Sequence, residues 1–379
     1  MTKPCLNMIV SNEEKVIRRC LESVKPIIGS YVIGVNNTQD KTREIIQEVL
    51  SDLPGIVLEH SWENFGWNRS QTLAEGVDWI KTNSIDASHF LLIDADEKLA
   101  IEDGFQLPEL VMDGYQCIFI DENNIAFPRA CLIRADLGWS YKYRIHEQLE
   151  CGKEIHWSTL PGVQVRVYED GNRHQDPRRL EKDIELLKEG WEEEGDKHYL
   201  FFLGQVSACL ERYEESLGYF QKYLTFPQES KDFFWYAKYR VASLYNALDY
   251  PDSMVINAFI ECMEIDSTRK EPFGHLAQRF RNSGRDNLAR TFAITGLHLP
   301  PCGSLLFREL PWDMWMLQDE AATACFRTGY AEDGLKLSEE LVQSPHTPQA
   351  EKERIMSNIK RYMDLKSKQS LTLPDLSTK

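Results

Sequence analysis

The amino-acid sequence predicts an α/β domain followed by an all-helical domain. Up to about residue 133, short β-rich runs alternate with amphipathic segments, which is typical of a mostly parallel sheet with helices on both faces. From about Pro177 onward, strand patterns disappear and only helical patterns remain. The expected boundaries are 1–172 for the α/β domain, 173–370 for the helical domain and 371–379 for a flexible tail.

The first part alternates four strands with three helices. The predicted strands are Cys5–Val10, Tyr31–Val35, Gly55–Leu58 and His89–Ile93. Ser11 or Asn12 is expected to cap the first helix, whose apolar face runs from Val16 to Val24. The second helix is predicted over Thr42–Leu50 and the third from about Asn68 to Ile80.

Ligands of such sheets bind beyond the carboxyl ends of the strands. This rule selects three segments as candidate site loops: Ser11–Glu13, Asn36–Asp40 and Asp94–Glu97.

The second part contains small residues that recur in pairs, twelve positions apart. The pairs are Gly204 with Ser216, Ala242 with Met254, Ala277 with Ala289, and Ala322 with Gly334. In a tetratricopeptide (TPR) hairpin these positions are where the two antiparallel helices touch, so bulk is excluded there. Only Met254 breaks the pattern. A TPR-like array is therefore predicted, with an unrelated helical bundle as the alternative.

Composition excludes several classes of protein. The formal net charge is −17, which disfavours sequence-independent binding to nucleic acid or anionic membranes. The apolar runs are shorter than the roughly 18 residues of a membrane span, and the first ten residues lack a secretory h-region.

The nine cysteines show no metal-ligand spacing and are expected to be reduced. We expect a cytoplasmic protein.

An acidic triplet directly follows the fourth predicted strand. Asp94 and Asp96 are expected to point to one side of an extended segment and to need a neutralising cation there. Paired carboxylates suit Mg²⁺ or Mn²⁺ shared with phosphates. Because the chain has no P-loop or dinucleotide-binding motif, Arg69 is the natural second partner for a phosphate.

These motifs together resemble the family-2 glycosyltransferases of GT-A fold. The resemblance rests on four segments: Cys5-Leu-Asn-Met-Ile-Val-Ser-Asn-Glu-Glu14, Arg19-Cys-Leu-Glu-Ser-Val24, Thr38-Gln-Asp-Lys-Thr42 and the DXD motif Ile93-Asp-Ala-Asp-Glu97. Two further segments resemble the subgroup fused to TPR-like helices: Trp62-Glu-Asn-Phe-Gly-Trp-Asn-Arg69 and Trp139-Ser-Tyr-Lys-Tyr-Arg-Ile-His-Glu147. The resemblance implies inverting, Mn²⁺- or Mg²⁺-assisted transfer from a nucleotide diphosphate sugar, with a uridine diphosphate sugar favoured.

The resemblance also implies roles for individual residues. Asp96 would bind the metal, Asp94 would lie near the ribose or the metal, and Arg69 would contact the nucleotide. Asn12 and Glu13 would line the nucleoside pocket. Relatives usually have an aspartate where this chain has Val35, so the nucleobase is open, with Asn36 or Asn37 as a substitute.

Inversion requires a base that removes the acceptor proton. Glu147 is the candidate, and Asp121, Glu122 and Glu97 are the alternatives. His146 is a candidate third metal ligand alongside Asp94 and Asp96, although it could instead hold a loop carbonyl.

The predicted function is transfer of a sugar to a hydroxyl or thiol group. The acceptor could be a saccharide, a peptide or a hydroxymethylated DNA base, and the helical array would orient it or pair two protomers in a homodimer. A non-catalytic TPR scaffold with a degenerate transferase domain and a nucleotidyltransferase are the rival interpretations.

Overall fold

The computed structural model describes residues 2–122, 125–304 and 306–370. The predicted tail, 371–379, lies outside the described residues. The chain divides into two compact units. The first reaches Gln228 and includes a short stretch ending at Phe307, and the second contains Glu229–Ser304 and the chain from Arg308 onward. The compact units thus divide at a different place from the predicted domains.

The described residues of the first unit contain a sheet of eight strands, a two-stranded ribbon, six α-helices and two short 3-10 helices. The strands are β1 Cys5–Val10, β2 Ser30–Asn36, β3 Gly55–His60, β4 His89–Leu92, β5 Glu97–Ile101, β6 Gly114–Ile120, β7 Ile125–Arg134, β8 Ser140–Lys142, β9 Gln148–Glu150 and β10 Trp157–Val167. The helices are α1 Ile17–Val24, α2 Thr42–Val49, α3 Phe65–Thr82, α4 Arg179–Glu194, α5 Lys197–Cys209 and α6 Tyr213–Tyr223.

The sheet is mixed rather than mostly parallel. Its order is β3-β2-β1-β4-β7-β6-β10-β5, and β8 and β9 form the separate ribbon. Strands β3, β2, β1 and β4 are parallel, as the sequence predicts, whereas β7 runs antiparallel to both β4 and β6. The alternating pattern covers only the parallel half, so strands β5 to β10 were not predicted.

Two apolar layers cover the parallel half of the sheet. On one face, α1 and α2 bury Leu21 and Ile46 in a core with β1 and β2. On the other face, α3 buries Leu73 and Ile80 against Phe90. The carboxyl ends of β1, β2 and β4 are therefore held at one edge.

Cys117 and Cys131 form a disulfide, which corrects the expectation that all nine cysteines are reduced. They lie on the neighbouring strands β6 and β7, with Cα atoms 5.8 Å apart. Their sequence separation of 14 residues gave no indication of this pairing, because the hairpin that aligns them was not predicted.

The predicted cap of α1 is also wrong. The helix begins at Ile17, and Val16 at its N-cap contributes no side-chain hydrogen bond. Asn12 instead adopts a left-handed backbone with φ 56°, and its side chain bonds to the neighbouring loop.

In its described residues, the second unit is α-helical apart from the two-residue strand β11, Arg308–Glu309, and a π turn, Trp312–Met316. Its α-helices are α7 Lys231–Ala247, α8 Asp252–Ile265, α9 Glu271–Asn282, α10 Asp286–Leu297, α11 Leu317–Arg327, α12 Ala331–Gln343 and α13 Gln349–Ser370. None of the helices in the described part of the chain is both long and apolar enough to span a membrane.

Helix pairing follows the TPR-like prediction at three of its four positions. Ser216 donates a hydrogen bond of 2.7 Å to the carbonyl of Gly204, and a side chain at Gly334 would lie 3.0 Å from the carbonyl of Ala322. Ala277 and Ala289 are both buried. Met254 is 41% exposed, because α8 turns Val255 inward instead.

Gly204→Val tests the close approach of α5 and α6. A Cβ atom at Gly204 would meet the buried ring of Phe220 at 2.8 Å, so overpacking should lower the free energy of unfolding by about 1–3 kcal/mol. Gly218→Ala on the exposed face of α6 meets no atom within 4 Å and should raise it by up to about 1 kcal/mol. Urea denaturation measures both. If the Gly204→Val variant is as stable as the wild type, the close contact of α5 with α6 at Gly204 is contradicted.

Candidate functional site

The loops that follow β1 and β2 bind each other directly. The amide of Gln39 donates to Asn12 Oδ1 at 2.8 Å, and the amide of Glu13 donates to Thr42 Oγ1 at 2.7 Å. The amide of Glu14 donates to Asp40 at 3.0 Å. Two of the three predicted site loops are thus joined at the carboxyl edge of the sheet.

A cavity of about 320 Å³ lies on these loops. Its wall includes Asn12 and Glu13 from the first loop, Asp40 from the second, and Asn172 from a third segment that follows β10. This volume is within the range of small-molecule pockets. Both predicted nucleoside-pocket residues therefore line one cavity.

Glu13 has an unusual environment at the edge of this cavity. Burial raises its pKa to about 7, and the negative charges of Asp96 and Asp40 act in the same direction. The amide of Asn172 donates to Glu13 Oε2 at 3.0 Å and only partly opposes the shift. Glu13 therefore takes up a proton near neutral pH.

Asn36 is buried at the end of β2, at 1% exposure. Neither its side-chain nitrogen nor its oxygen has a hydrogen-bond partner among the described residues. Buried amides are normally satisfied, so this side chain is suited to a polar ligand group.

The acidic turn places Asp94 between two arginines. Arg69 Nη2 lies 2.6 Å from Asp94 Oδ1, and Arg129 Nη1 lies 3.6 Å from Asp94 Oδ2. Burial opposes ionisation of Asp94, but the two guanidinium groups outweigh it and lower its pKa. Asp94 is therefore a carboxylate whose charge the protein itself neutralises.

Glu97, an alternative base in the sequence analysis, is buried and binds the backbone of the acidic turn. It is 2% exposed, accepts the amide of Asp94 at 2.8 Å and pairs with Arg129 Nη2 at 2.6 Å. Burial raises its pKa. The Arg129 guanidinium also stacks on the Phe119 ring at 3.9 Å.

Arg69 also pairs with the predicted base. Its Nε lies 2.5 Å from Glu147 Oε1, and both side chains are largely buried. The structure thus joins the predicted nucleotide contact, the predicted base and Asp94 in one ion-pair chain.

The segment that carries Glu147 is seated on α3. Ser70 Oγ accepts the amide of Tyr141 at 2.8 Å, and the amide of Phe65 donates to the carbonyl of Arg144 at 3.1 Å. Any side chain at Gly66 would collide with the carbonyl of Tyr143, so glycine permits this approach. Helix α3 begins at Phe65, capped by Asn64, which places Arg69 opposite Glu147.

Asp96 does not share the surroundings of Asp94. Its Oδ2 lies 3.3 Å from His174 Nδ1, and the backbone at Gly171 packs against its side chain. Strand β4 ends at Leu92, and the amide of Glu97 donates to the carbonyl of Asp94. The prediction that both carboxylates point to one side of an extended segment is therefore wrong, because the segment turns.

His146 lies in an apolar contact and not with the acidic turn. Its ring stacks on Phe202 at 4.2 Å. Among the described residues, its Nε2 has no hydrogen-bond partner and no carboxylate forms an ion pair with it. Burial lowers its pKa to about 3, and nearby Arg173 acts in the same direction. Within the described ranges no group of three or more His, Cys, Asp or Glu side chains could hold a metal ion. The predicted ligands Asp94, Asp96 and His146 are thus not assembled as one group.

The alternative bases Asp121 and Glu122 lie at the end of β6. Asp121 Oδ1 accepts the amide of Ile125 at 2.7 Å, and Glu122 Oε1 accepts the amide of Glu169 at 3.3 Å. Both carboxylates therefore stabilise loops.

Three site residues were missed by sequence reasoning. Arg129 lies on β7, a strand that was not predicted. Arg19 donates to the carbonyl of Asp96 at 2.9 Å and to Asp170 at 2.6 Å. His174 lies in the segment after β10, about 80 residues from its partner Asp96, so no local motif joins them.

Comparison with known proteins finds similarity only among solved structures. No family model matches the chain, and no curated protein matches it. Among solved structures, MamA (residues 41 to the end) from Desulfovibrio magneticus RS-1 is 12% identical, with 43% of this chain and 83% of that chain covered and a TM-score of 0.34. TTC0263, a thermophilic TPR protein of Thermus thermophilus, is 12% identical, with 47% and 90% covered and a TM-score of 0.35.

YrrB, described as a TPR protein with an unusual peptide-binding site, is 15% identical over 43% of this chain and 76% of its own, with a TM-score of 0.32. The strand order of its own sheet and the contacts between its own helices define this chain as an α/β sheet followed by TPR-like hairpins.

Glu13→Gln tests the protonation of Glu13. The pKa is higher in the folded chain, about 7, than the ordinary 4.5, so folding retains a proton that the unfolded chain releases. The wild type should therefore lose stability relative to Glu13→Gln as pH rises from about 4.5 to 7. Denaturation at several pH values measures the difference, and a pH-independent difference contradicts the assignment.

Proposed function

We propose that the chain is an inverting glycosyltransferase that uses a nucleotide diphosphate sugar. The observation that carries the proposal is the ion-pair chain Glu147–Arg69–Asp94, together with the Asp96–His174 pair that begins two residues further along the same turn, at the carboxyl edge of a sheet. It combines a cation for a pyrophosphate, a carboxylate for an acceptor proton, and a carboxylate–imidazole pair. The DXD resemblance adds to this support.

The donor would occupy the cavity and the adjoining strand ends. Asn12, Glu13 and the unsatisfied Asn36 would meet the nucleoside, while Arg69 would meet the pyrophosphate. Because Arg69 is largely buried, its attraction for a pyrophosphate is less screened than on an open surface.

The residues around Asp96 fit a divalent cation. His174 Nδ1 is buried, faces the Asp96 carboxylate and has no hydrogen-bond partner among the described residues, as expected of an imidazole ligand. Asp96 and His174 would hold Mn²⁺ or Mg²⁺, with donor phosphates completing the shell, and Asp94 would remain with the arginines. A bound cation would supply charge neutralisation for the departing diphosphate.

The transfer step would use Glu147 as the base. The acceptor oxygen or sulfur attacks the anomeric carbon, the bond from that carbon to the diphosphate oxygen breaks, and the acceptor proton moves to Glu147. Glu147 must first leave Arg69, since the guanidinium group occupies its carboxylate at 2.5 Å. Transfer of Arg69 to the donor pyrophosphate would release it.

The acceptor class is a hydroxyl or thiol on a saccharide, a peptide or a modified nucleobase. The net charge of −17 disfavours DNA. The helical hairpins of the second unit would orient an extended acceptor or pair two protomers.

A panel of uridine, guanosine, adenosine and cytidine diphosphate sugars with Mn²⁺ tests the proposal. We expect one of them to release nucleoside diphosphate, measured by chromatography. Asp96→Asn should lower that rate about 10–100-fold at fixed Mn²⁺, by analogy with losses at other metal sites. The exposed carboxylate variant Asp103→Asn is the matched control and should retain the rate.

Two outcomes of this panel contradict the proposal. Release of pyrophosphate instead of nucleoside diphosphate would identify a nucleotidyltransferase. Absence of both binding and turnover with every donor would favour the TPR-like scaffold.

A further inference from the structure

The segment that carries Glu147 has an unfavourable backbone. Tyr143 and His146 both adopt left-handed conformations, with φ 72° and φ 51°, and neither is glycine. Such conformations persist where the surroundings hold them, and they cluster at functional sites. Contacts from neighbouring helices must therefore hold residues 141–147 in this conformation.

Helix α5 holds both left-handed residues through their rings. The Tyr143 ring stacks on the His198 ring, with centroids 3.7 Å apart and planes within 6°. The His146 ring stacks in the same way on Phe202 at 4.2 Å. His198 and Phe202 are four residues apart, so they lie on one face of α5.

Polar contacts from the start of α5 and from α4 flank these stacks. Asp196, the N-cap of α5, accepts the Tyr143 hydroxyl at 2.9 Å and pairs with Lys142 at 3.0 Å. Arg144 pairs with Glu189 at 3.2 Å and also with Glu193. Helices α4 and α5 therefore contact Lys142, Tyr143 and Arg144 individually.

One of these contacts reaches the residue next to the candidate base. His198 Nε2 donates a hydrogen bond of 2.8 Å to the carbonyl of His146, whose carbon is bonded to the nitrogen of Glu147. Burial lowers the pKa of His198 to about 4, so the ring is neutral at pH 7 and donates from its Nε2–H tautomer. This bond fixes the plane of the peptide group between His146 and Glu147, and so restricts the direction in which the Glu147 side chain extends.

We infer that His198 is a positioning residue for sugar transfer, and that it acts through the backbone carbonyl of His146 to aim Glu147. The inference rests on the proposed function. It also gives α4 and α5 a role other than acceptor binding: they complete the site of the α/β unit. Their grouping with the sheet in one compact unit agrees with this role.

Two substitutions separate the hydrogen bond from the ring stack. His198→Phe keeps an aromatic ring for Tyr143 and removes the donor, while His198→Gln keeps a donor and removes the ring. We expect His198→Phe to lower kcat about 10–100-fold, because small misplacements of a catalytic group are costly. The Kd for the nucleoside diphosphate that the panel identifies should not rise by more than twofold. His198→Gln should recover a large part of kcat.

A double-mutant cycle distinguishes positioning from general damage. Glu147→Gln should lower single-turnover transfer about 100-fold or more. Adding His198→Phe to Glu147→Gln should cause little further loss, since the Glu147→Gln variant already lacks the carboxylate that His198 positions. The exposed His298→Phe, in the second unit, is the control and should retain wild-type kcat and melting temperature.

The outcomes that overturn this inference differ from those that overturn the proposed function. If the wild type transfers sugar, an unchanged kcat in His198→Phe, or losses that multiply fully in the double variant, overturns the role of His198. If the wild type turns over no donor, the proposed function fails, and the assignment of His198 to transfer fails with it. A matched loss of kcat and melting temperature in both His198 variants also counts against positioning.

Discussion

The pairing of Arg69 with two carboxylates is the interaction on which this account depends. Asp94 and Glu147 both lie within 2.6 Å of its guanidinium group, at a place where burial makes unpaired charge costly. The two carboxylates compensate the charge of the buried guanidinium group. Under the proposed function, Arg69 would also hold Glu147 away from the acceptor until the donor pyrophosphate takes its place, which would couple donor binding to acceptor activation.

The fold brings these groups together from distant parts of the chain. The parallel strands β1, β2 and β4 end at one edge and supply Asn12, Asn36 and Asp94. The antiparallel strand β7 contributes Arg129, which ties Asp94 to the buried Glu97. The segment with Glu147 is held from one side by α3 and from the other by α4 and α5. Each catalytic candidate is therefore supported by buried structure.

The sequence predicted the part of the fold that local periodicity encodes. Strands β1 to β4 and helices α1 to α3 were found because burial alternates there with the period of each element, as in the inward residues Ile17 and Leu21. Pairings between distant segments were not predictable in this way. The Cys117–Cys131 disulfide, the Arg129–Glu97 pair and the Asp96–His174 pair all join residues that no local pattern relates. His146 and Glu147 are adjacent in sequence, yet one faces Phe202 and the other Arg69.

The central claim is that Arg69 is a pyrophosphate-binding cation that Glu147 occupies in the absence of donor. Calorimetric titration of uridine diphosphate and inorganic pyrophosphate, with Mn²⁺, into the wild type and Glu147→Gln measures this competition directly. We expect Glu147→Gln to bind both ligands more tightly than the wild type, because this variant has no carboxylate at position 147 to compete with them for Arg69. Weaker binding by that variant, or no heat with either protein, would contradict the account.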